Sequence, residues 1–184
     1  MNRIAVVCFM LTMPFLQKIC LSQDKYKAEG GFISFYSSAP LEDIYAENNR
    51  VKSLIDLSTN ELAFIVEISD FKFKKSLMQT HYNEKYMESH KFPQASFSGL
   101  IESSSGIKEM GQHTVIVKGD IVIHGVKNTI EVVAVLYNHG DSISANSKFN
   151  IRLDDFDIKI PKLLIKNIAE EVLVKVRVDY KLVE

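Results

Sequence analysis

The side chains able to do chemistry are few, and their spacing does not assemble a reactive site. His81, His90, His113, His124 and His139 are the natural metal ligands. His81 and His90 do not make a short ligand pair, and the HExxH spacing does not occur. The two cysteines, Cys8 and Cys20, both fall in the first 22 residues. No Gly-x-Ser-x-Gly elbow presents a serine nucleophile, and Ser103-Ser104-Ser105-Gly106 reads as a polar loop. Asp154-Asp155 could in principle carry acid–base chemistry, but adjacent loop carboxylates are ordinarily just solvated. There is no phosphate-cradling glycine loop and no dinucleotide fingerprint. The sequence therefore predicts a non-enzyme with no catalytic residue, no metal and no cofactor. His81 is expected to hydrogen-bond a loop from the first turns of a helix, and His124 to sit at a turn.

What the residues do offer is hydrocarbon surface presented on alternate positions. Val172, Val174, Val176, Val178, Tyr180 and Leu182 share one face, while Lys175, Arg177, Asp179 and Lys181 share the other. One face meets a core and the other meets water. The same alternation runs through Ser142 to Leu153, Val115 to Ile123, Ile130 to Leu136, Ala95 to Ile101 and Leu62 to Ile68. Phe32 to Ser37 and Val51 to Leu57 complete about eight strands, with a short extra piece near Leu41 to Tyr45. Parity switches at Ser69-Asp70, before Phe71 and Phe73, which predicts a bulge or bend there. Hairpin turns are expected at Glu47-Asn48-Asn49, Ser58-Thr59-Asn60, Ser103 to Gly111, His124-Gly125 and Asn138 to Asp141. Short connections imply antiparallel neighbours.

One segment departs from this period. Ser76-Leu77-Met78-Gln79 fits a capping box, and Met78, Tyr82 and Tyr86 then recur every four residues. The spacing predicts a helix of roughly three turns, ending before Phe92-Pro93 because proline cannot continue it. Its Met78-Tyr82-Tyr86 face would seal one side of the sheet or cover its mouth. Asp154 to Ile168 reads as an extended loop with one helical turn near Lys162 to Ile165.

Eight one-sided strands must hide one apolar face, by closing into a barrel or stacking as a sandwich. Several strands exceed the usual five or six residues, which favours an up-and-down barrel. The fold class expected is all-β: an eight-stranded antiparallel barrel with one short helix. Such a barrel fills its interior or holds one small ligand. Small residues at inward parity (Ala95, Gly99, Gly119, Ala134, Ala145 and Ser147) fit either glycine bends and barrel taper or an apolar cavity. If there is a pore, its lining is expected from Phe64 and Val66, Phe97, Val117 and Ile121, and Val132. Ala145 and Phe149, then Val174, Val176 and Tyr180, would complete it, with Met78 from the helix. Tyr36, Phe71 and Phe73 are further aromatic candidates.

The N-terminus reads differently from the rest. Met1-Asn2-Arg3 precedes an almost wholly apolar run, Ile4 to Leu16, and then Cys20 and Ser22. A basic start, a short apolar stretch and small residues describe a secretory signal, residues 1–22, cleaved before Gln23. The run is shorter than the roughly 20 residues of a membrane-spanning helix. Gln17, Lys18 and Ile19 do not make a lipobox before Cys20. Loss of Arg3 and Lys18 would move the formal net charge from −1 to −3 and remove every thiol from the mature domain, residues 23–184. Neither charge suits a nucleic-acid partner.

Two segments carry a resemblance. Met78 to Phe97 reads MQTHYNEKYMESHKFPQASF, and Val117 to Val126 reads VKGDIVIHGV. Together they are similar to the YceI-like family of secreted, lipocalin-like barrels, some of which bind polyisoprenoids and other long-chain lipids. His81, Asn83, Glu84, Tyr86, Phe92, Pro93, Ala95 and Phe97 stand at the first pattern's positions. Gly119, Ile121, Ile123, His124, Gly125 and Val126 match the second. Asp157 stands where the family usually carries a glycine, so the local turn there is open to difference. The resemblance spans about Tyr26 to Val183. It implies a barrel with a helix at one side and a long-chain lipid or isoprenoid in the pore, in a periplasmic or secreted protein without a membrane span after cleavage. The competing reading is a filled barrel that works through its surface. Val133, Val135 and Tyr137 make one strand apolar on both faces, which could seat a homodimer or an envelope partner.

Overall fold

The computed structural model of the chain describes residues 24–38, 43–102, 107–159 and 171–183. The expected signal and the helical turn expected near Lys162 lie outside the described residues. Eight long strands follow the predicted alternation: β1 (Lys25–Ser37), β2 (Ile44–Asp56), β3 (Glu61–Glu67), β5 (Gln94–Glu102), β6 (Gly111–Ile123), β7 (Val126–Asn138), β8 (Ser142–Arg152) and β9 (Glu171–Leu182). A two-residue strand, β4 (Lys72–Phe73), and one short helix, α1 (Ser76–His81), lie between β3 and β5. Neighbours pair antiparallel in the order β1-β9-β8-β7-β6-β5-β3-β2, and β1 pairs back onto β2. That last pairing closes the sheet into the expected eight-stranded barrel and removes its outer edges.

Closure bends the longest strands at identifiable places. β1 and β2 slip register together between Glu29 and Ile33, with Gly30 at φ 97°. Tyr26 and Ala28 face inward before the slip, and Ile33 and Phe35 after it. Glu47-Asn48-Asn49 is therefore not a hairpin turn. It lies inside β2, where it bulges the strand; of the short piece expected near Leu41 to Tyr45, Ile44 and Tyr45 begin the same strand, and Leu41 and Glu42 lie outside the described residues. The Asn48 side chain explains why a polar pair sits there. Its amide donates to the Glu67 carbonyl at 3.0 Å, and its oxygen accepts from the Arg50 backbone amide at 2.8 Å. A turn-like composition here satisfies a kink in a continuous strand.

The parity switch at Ser69-Asp70 is a bend, as expected. β3 ends at Glu67, a 3-10 turn spans Ile68–Asp70, and β4 re-pairs with β2 at Ala46 and Glu47. Two of the small inward residues serve curvature. Gly99 and Gly119 are directly opposite on β5 and β6, and a Cβ on either would run into the backbone of the other strand. The sheet coils tightly at this crossing because neither residue has a side chain. One stretch of wall stays unzipped. β7 and β8 pair only from Ala134–Ser147 to Asn138–Ile143, so among the described residues Val126–Val133 and Lys148–Arg152 share no rung.

The crossing predicts an overpacking penalty. Gly119→Val is expected to lower stability by about 2–3 kcal/mol, seen as a lower urea midpoint by far-UV circular dichroism. Substitution at the exposed turn Gly140, made to Asn, is expected to cost far less.

Candidate functional site

Two packed plugs occupy the ends of the barrel, with a gap between them. At one end Tyr26, Ile55, Leu57, Ile101, Ile107 and Leu136 pack with Ile143, Val178 and Tyr180. Polar tethers hold this floor. The Tyr26 hydroxyl donates to the Gly140 carbonyl at 2.7 Å, and the Asn138 side chain donates to the Ile107 carbonyl at 2.9 Å. Ser53 Oγ donates to the Ala63 carbonyl at 2.7 Å, so its 2.7 Å contact with Tyr180 has the tyrosine donating. Burial pushes the Tyr180 phenol above its ordinary pKa, and the Ser53 bond offsets part of that rise.

The helix builds the other plug. α1 runs directly into a π-helical turn, Tyr82–Tyr86, so the helical segment has the expected three-turn length. The capping box does not form. The N-cap is Lys75, without a side-chain cap. Gln79 instead reaches sideways: its amide donates to the Phe71 carbonyl at 2.5 Å and its oxygen accepts from the Phe73 amide at 3.3 Å. It clamps the helix onto β4. Tyr82 drives the docking, with ring centroids 5.7 Å from Phe35, 5.8 Å from Phe71 and 4.9 Å from Phe73. Burial alone pushes the Tyr82 phenol pKa up. Aromatic packing of this kind fixes the helix with specific geometry as well as area.

Between the plugs lies a cavity of about 550 Å³, within the usual range for small-ligand pockets. All twelve residues named as the expected pore lining stand on its wall. Phe64, Val66 and Phe97 line it from β3 and β5, Val117 and Ile121 from β6, and Val132 from β7. Ala145 and Phe149 line it from β8, Val174, Val176 and Tyr180 from β9, and Met78 from α1. Several keep accessible surface because no protein atom fills the space they face: Phe64, Phe97, Val132, Ala145 and Val176 are only partly buried. Ala95, Ala134, Ala145 and Ser147 also line the space, whereas Gly99 and Gly119 do not. Small inward residues thus do both jobs considered, at different positions.

Some expectations need correction. Tyr36 is exposed, because the β1 bulge turns Phe35 inward in its place. His81 makes no loop hydrogen bond among the described residues; it lines the cavity. Sequence reading missed Ile33, Phe35, Ile44, Met87, Leu153 and Ile158, which also border the space. Ile33 and Phe35 were hidden by the register slip, and Met87 by a π-turn that breaks the four-residue recurrence.

The remaining polar residues fasten the helix end from outside. His124, at φ 52° in the β6–β7 turn, contacts the Phe156 carbonyl through Nδ1 at 3.2 Å and Glu88 through Nε2 at 3.3 Å. Phe92 packs edge-on against its ring, with centroids 4.5 Å apart. Lys91 and His124 hold the Glu88 carboxyl below its ordinary pKa, the Lys91 hydrogen bond contributing most. Asp157 takes the left-handed conformation at φ 53°, so a turn of glycine type forms there with a residue that tolerates it. Among the described residues, no group of three His, Cys, Asp or Glu side chains converges on a metal position, and no helix is long and apolar enough to cross a membrane.

A closed antiparallel barrel with a helix-plugged end and an apolar internal cavity defines a lipocalin-like class of binding fold. A family model for the YceI-like domain matches residues 28–180, and the chain belongs to that family. The fold is shared with a polyisoprenoid binding domain from Saccharophagus degradans implicated in plant cell wall breakdown (TM-score 0.74, 13% identity, covering 88% of this chain and 99% of that one). It is shared also with Burkholderia cenocepacia BcnA (TM-score 0.68, 15% identity, 81% and 95% covered). A Campylobacter jejuni YCEI protein has TM-score 0.57 and 13% identity, with both chains covered in full. Among curated proteins, none matches the chain in sequence.

Glu88 yields a pH prediction. Its folded pKa lies below the ordinary 4.5, so its contribution to stability is complete above that value and fades as pH falls through the folded pKa. Glu88→Gln is expected to lower the melting temperature at pH 8, where the wild-type carboxylate is fully ionised, and to approach wild type as pH falls below 4.5, in a thermal melt series.

Proposed function

We propose that this protein holds an isoprenoid or other long-chain amphiphile in its barrel, for carriage or storage, in the periplasm or outside the cell. The observation that carries the reading is an apolar cavity left between two packed plugs. A hydrocarbon chain entering it gains about 0.8 kcal/mol per buried CH₂, so a long tail needs few polar contacts. The lining is mostly aliphatic and aromatic, with Ser37, His81, Ser96, Asn146 and Ser147 as its polar members among the described residues. Among the described residues no lysine or arginine lines it, so selection inside the tube would work by length and width. The Saccharophagus degradans domain with the same fold is named for polyisoprenoid binding, which agrees with this reading. A surface-only role would not need the interior space.

The compartment rests on residues 1–22. N-terminal sequencing of the exported protein is expected to begin at Gln23; a chain that begins at Met1 in the cytoplasm would defeat the assignment.

Protein purified from its native compartment without detergent is expected to release about one long-chain lipid per molecule on organic extraction and mass spectrometry. Val132→Phe with Ala145→Phe fills the tube and is expected to cut bound lipid at least about tenfold with the barrel still folded by circular dichroism. Empty wild-type protein that also takes up no long-chain isoprenoid would overturn the proposal.

A further inference from the structure

We infer that the unzipped seam between β7 and β8 is a side port to the cavity, and that its outer lip docks on an anionic phospholipid bilayer. On the inner side of the seam, Ile130 and Val132 of β7 and Phe149 and Ile151 of β8 line the cavity. Outside it runs a groove of about 470 Å³ lined by Phe32, Val133, Val135, Lys148, Lys175 and Arg177. Asn146, Ser147 and Val176 border both spaces. These three residues are the stretch of wall that the two spaces share. The last closed rung is latched by Ser147 Oγ, which donates to the Val133 carbonyl at 2.8 Å.

The charges on this lip are arranged against the interest of stability. Lys148 and Lys175 are directly opposite across β8 and β9, and Arg177 follows two residues on along the same face. Like charges in that position repel. None of the three is in an ion pair among the described residues; Arg177 lies over the Phe32 ring at 5.1 Å. The acidic groups two residues along the same outer face from Val133 and Arg177 have other partners, Glu131 with Lys118 at 3.8 Å and Asp179 with Ser144 at 2.8 Å. Lysines often protect a sheet edge from unwanted pairing. That does not account for Lys175 and Arg177, because β9 is paired on both sides, with β8 and with β1. Beside the cations, Val133 is 59% exposed. Apolar side chains rimmed by basic groups fit the interface of an anionic membrane. A tail leaving such a surface would meet the apolar lips of the seam and then the cavity. The port rests on the carrier reading; the docking surface does not.

Co-sedimentation of the purified full chain with phosphatidylglycerol vesicles tests the docking. Wild type is expected to bind them, to bind phosphatidylcholine vesicles weakly, and to release in 0.5 M salt. Each basic group near the surface strengthens attachment about fivefold, so Lys148→Glu with Lys175→Glu is expected to weaken binding at least about 25-fold. Lys74→Glu with Lys85→Glu, at the helix end, should bind as wild type. Lys148→Glu alone should melt about 1–3 °C higher, because it faces Lys175, while binding less. Wild-type protein that ignores anionic vesicles overturns the inference. So does undiminished binding by the Lys148–Lys175 double variant, loss confined to the helix-end variant, or a dimer in sizing chromatography that Val133→Asp dissociates. Protein that carries extractable lipid yet ignores vesicles removes the docking surface alone; protein that docks but never carries lipid removes the carrier reading alone.

Discussion

A sheet of eight strands that closes on itself has a diameter set by strand number and tilt, before any side chain is chosen. The pairing of β1 with β2 imposes that closure here, and the interior volume follows from it. Side chains then either fill the volume or leave it open. Tyr26, Ile107 and Tyr180 fill one end, and Tyr82, Phe71 and Phe156 fill the other. Ala134, Ala145 and Ser147, neighbours on β7 and β8, are too small to reach the opposite wall, and the space persists. An apolar void of this size does not collapse, because the hydrogen-bonded wall around it is continuous over most of its circumference.

The same closure explains where polar groups are spent. Bending long strands around a narrow tube breaks the ladder at defined points, and each break needs a partner for its exposed backbone. Asn48 supplies one at the β2 bulge and Gln79 another at β4. Gly99 and Gly119 meet the opposite demand, close backbone approach, by having no side chain at all. The histidine of the β6–β7 turn belongs to this group. His124 ties together Glu88, Phe92 and the chain after β8, so its role is to brace the helix end.

The wall is least complete between β7 and β8, where β8 leaves its neighbour to stay with β9 through Arg152. The 3-10 turn Asp154–Phe156 then folds back, with Phe156 buried and Asn128 bonded to the Asp155 carbonyl at 2.5 Å. The opening is thus bounded by the Ser147 latch at one end and this turn at the other. The unpaired stretch of wall lies beside a face that carries Lys148, Lys175 and Arg177.

Alternation alone determined most of the architecture. Each strand's inner face was legible from the two-residue period, because neighbouring side chains on a strand must point to opposite sides of the sheet. That is why the eleven strand residues chosen by parity all reach one cavity wall. Parity is a local signal, and it failed wherever the backbone slipped: at the β1–β2 bulge, which sends Phe35 inward and Tyr36 outward, and at Glu47-Asn48-Asn49, whose turn-like composition lies within a strand. Ser76 and Gln79 have the spacing of a cap, yet the tertiary neighbour β4 offered Gln79 two backbone partners. Whether the small inward residues leave a void or merely permit a bend was undecided in the sequence. It depends on what stands across the barrel from each, and only closure brings those residues face to face.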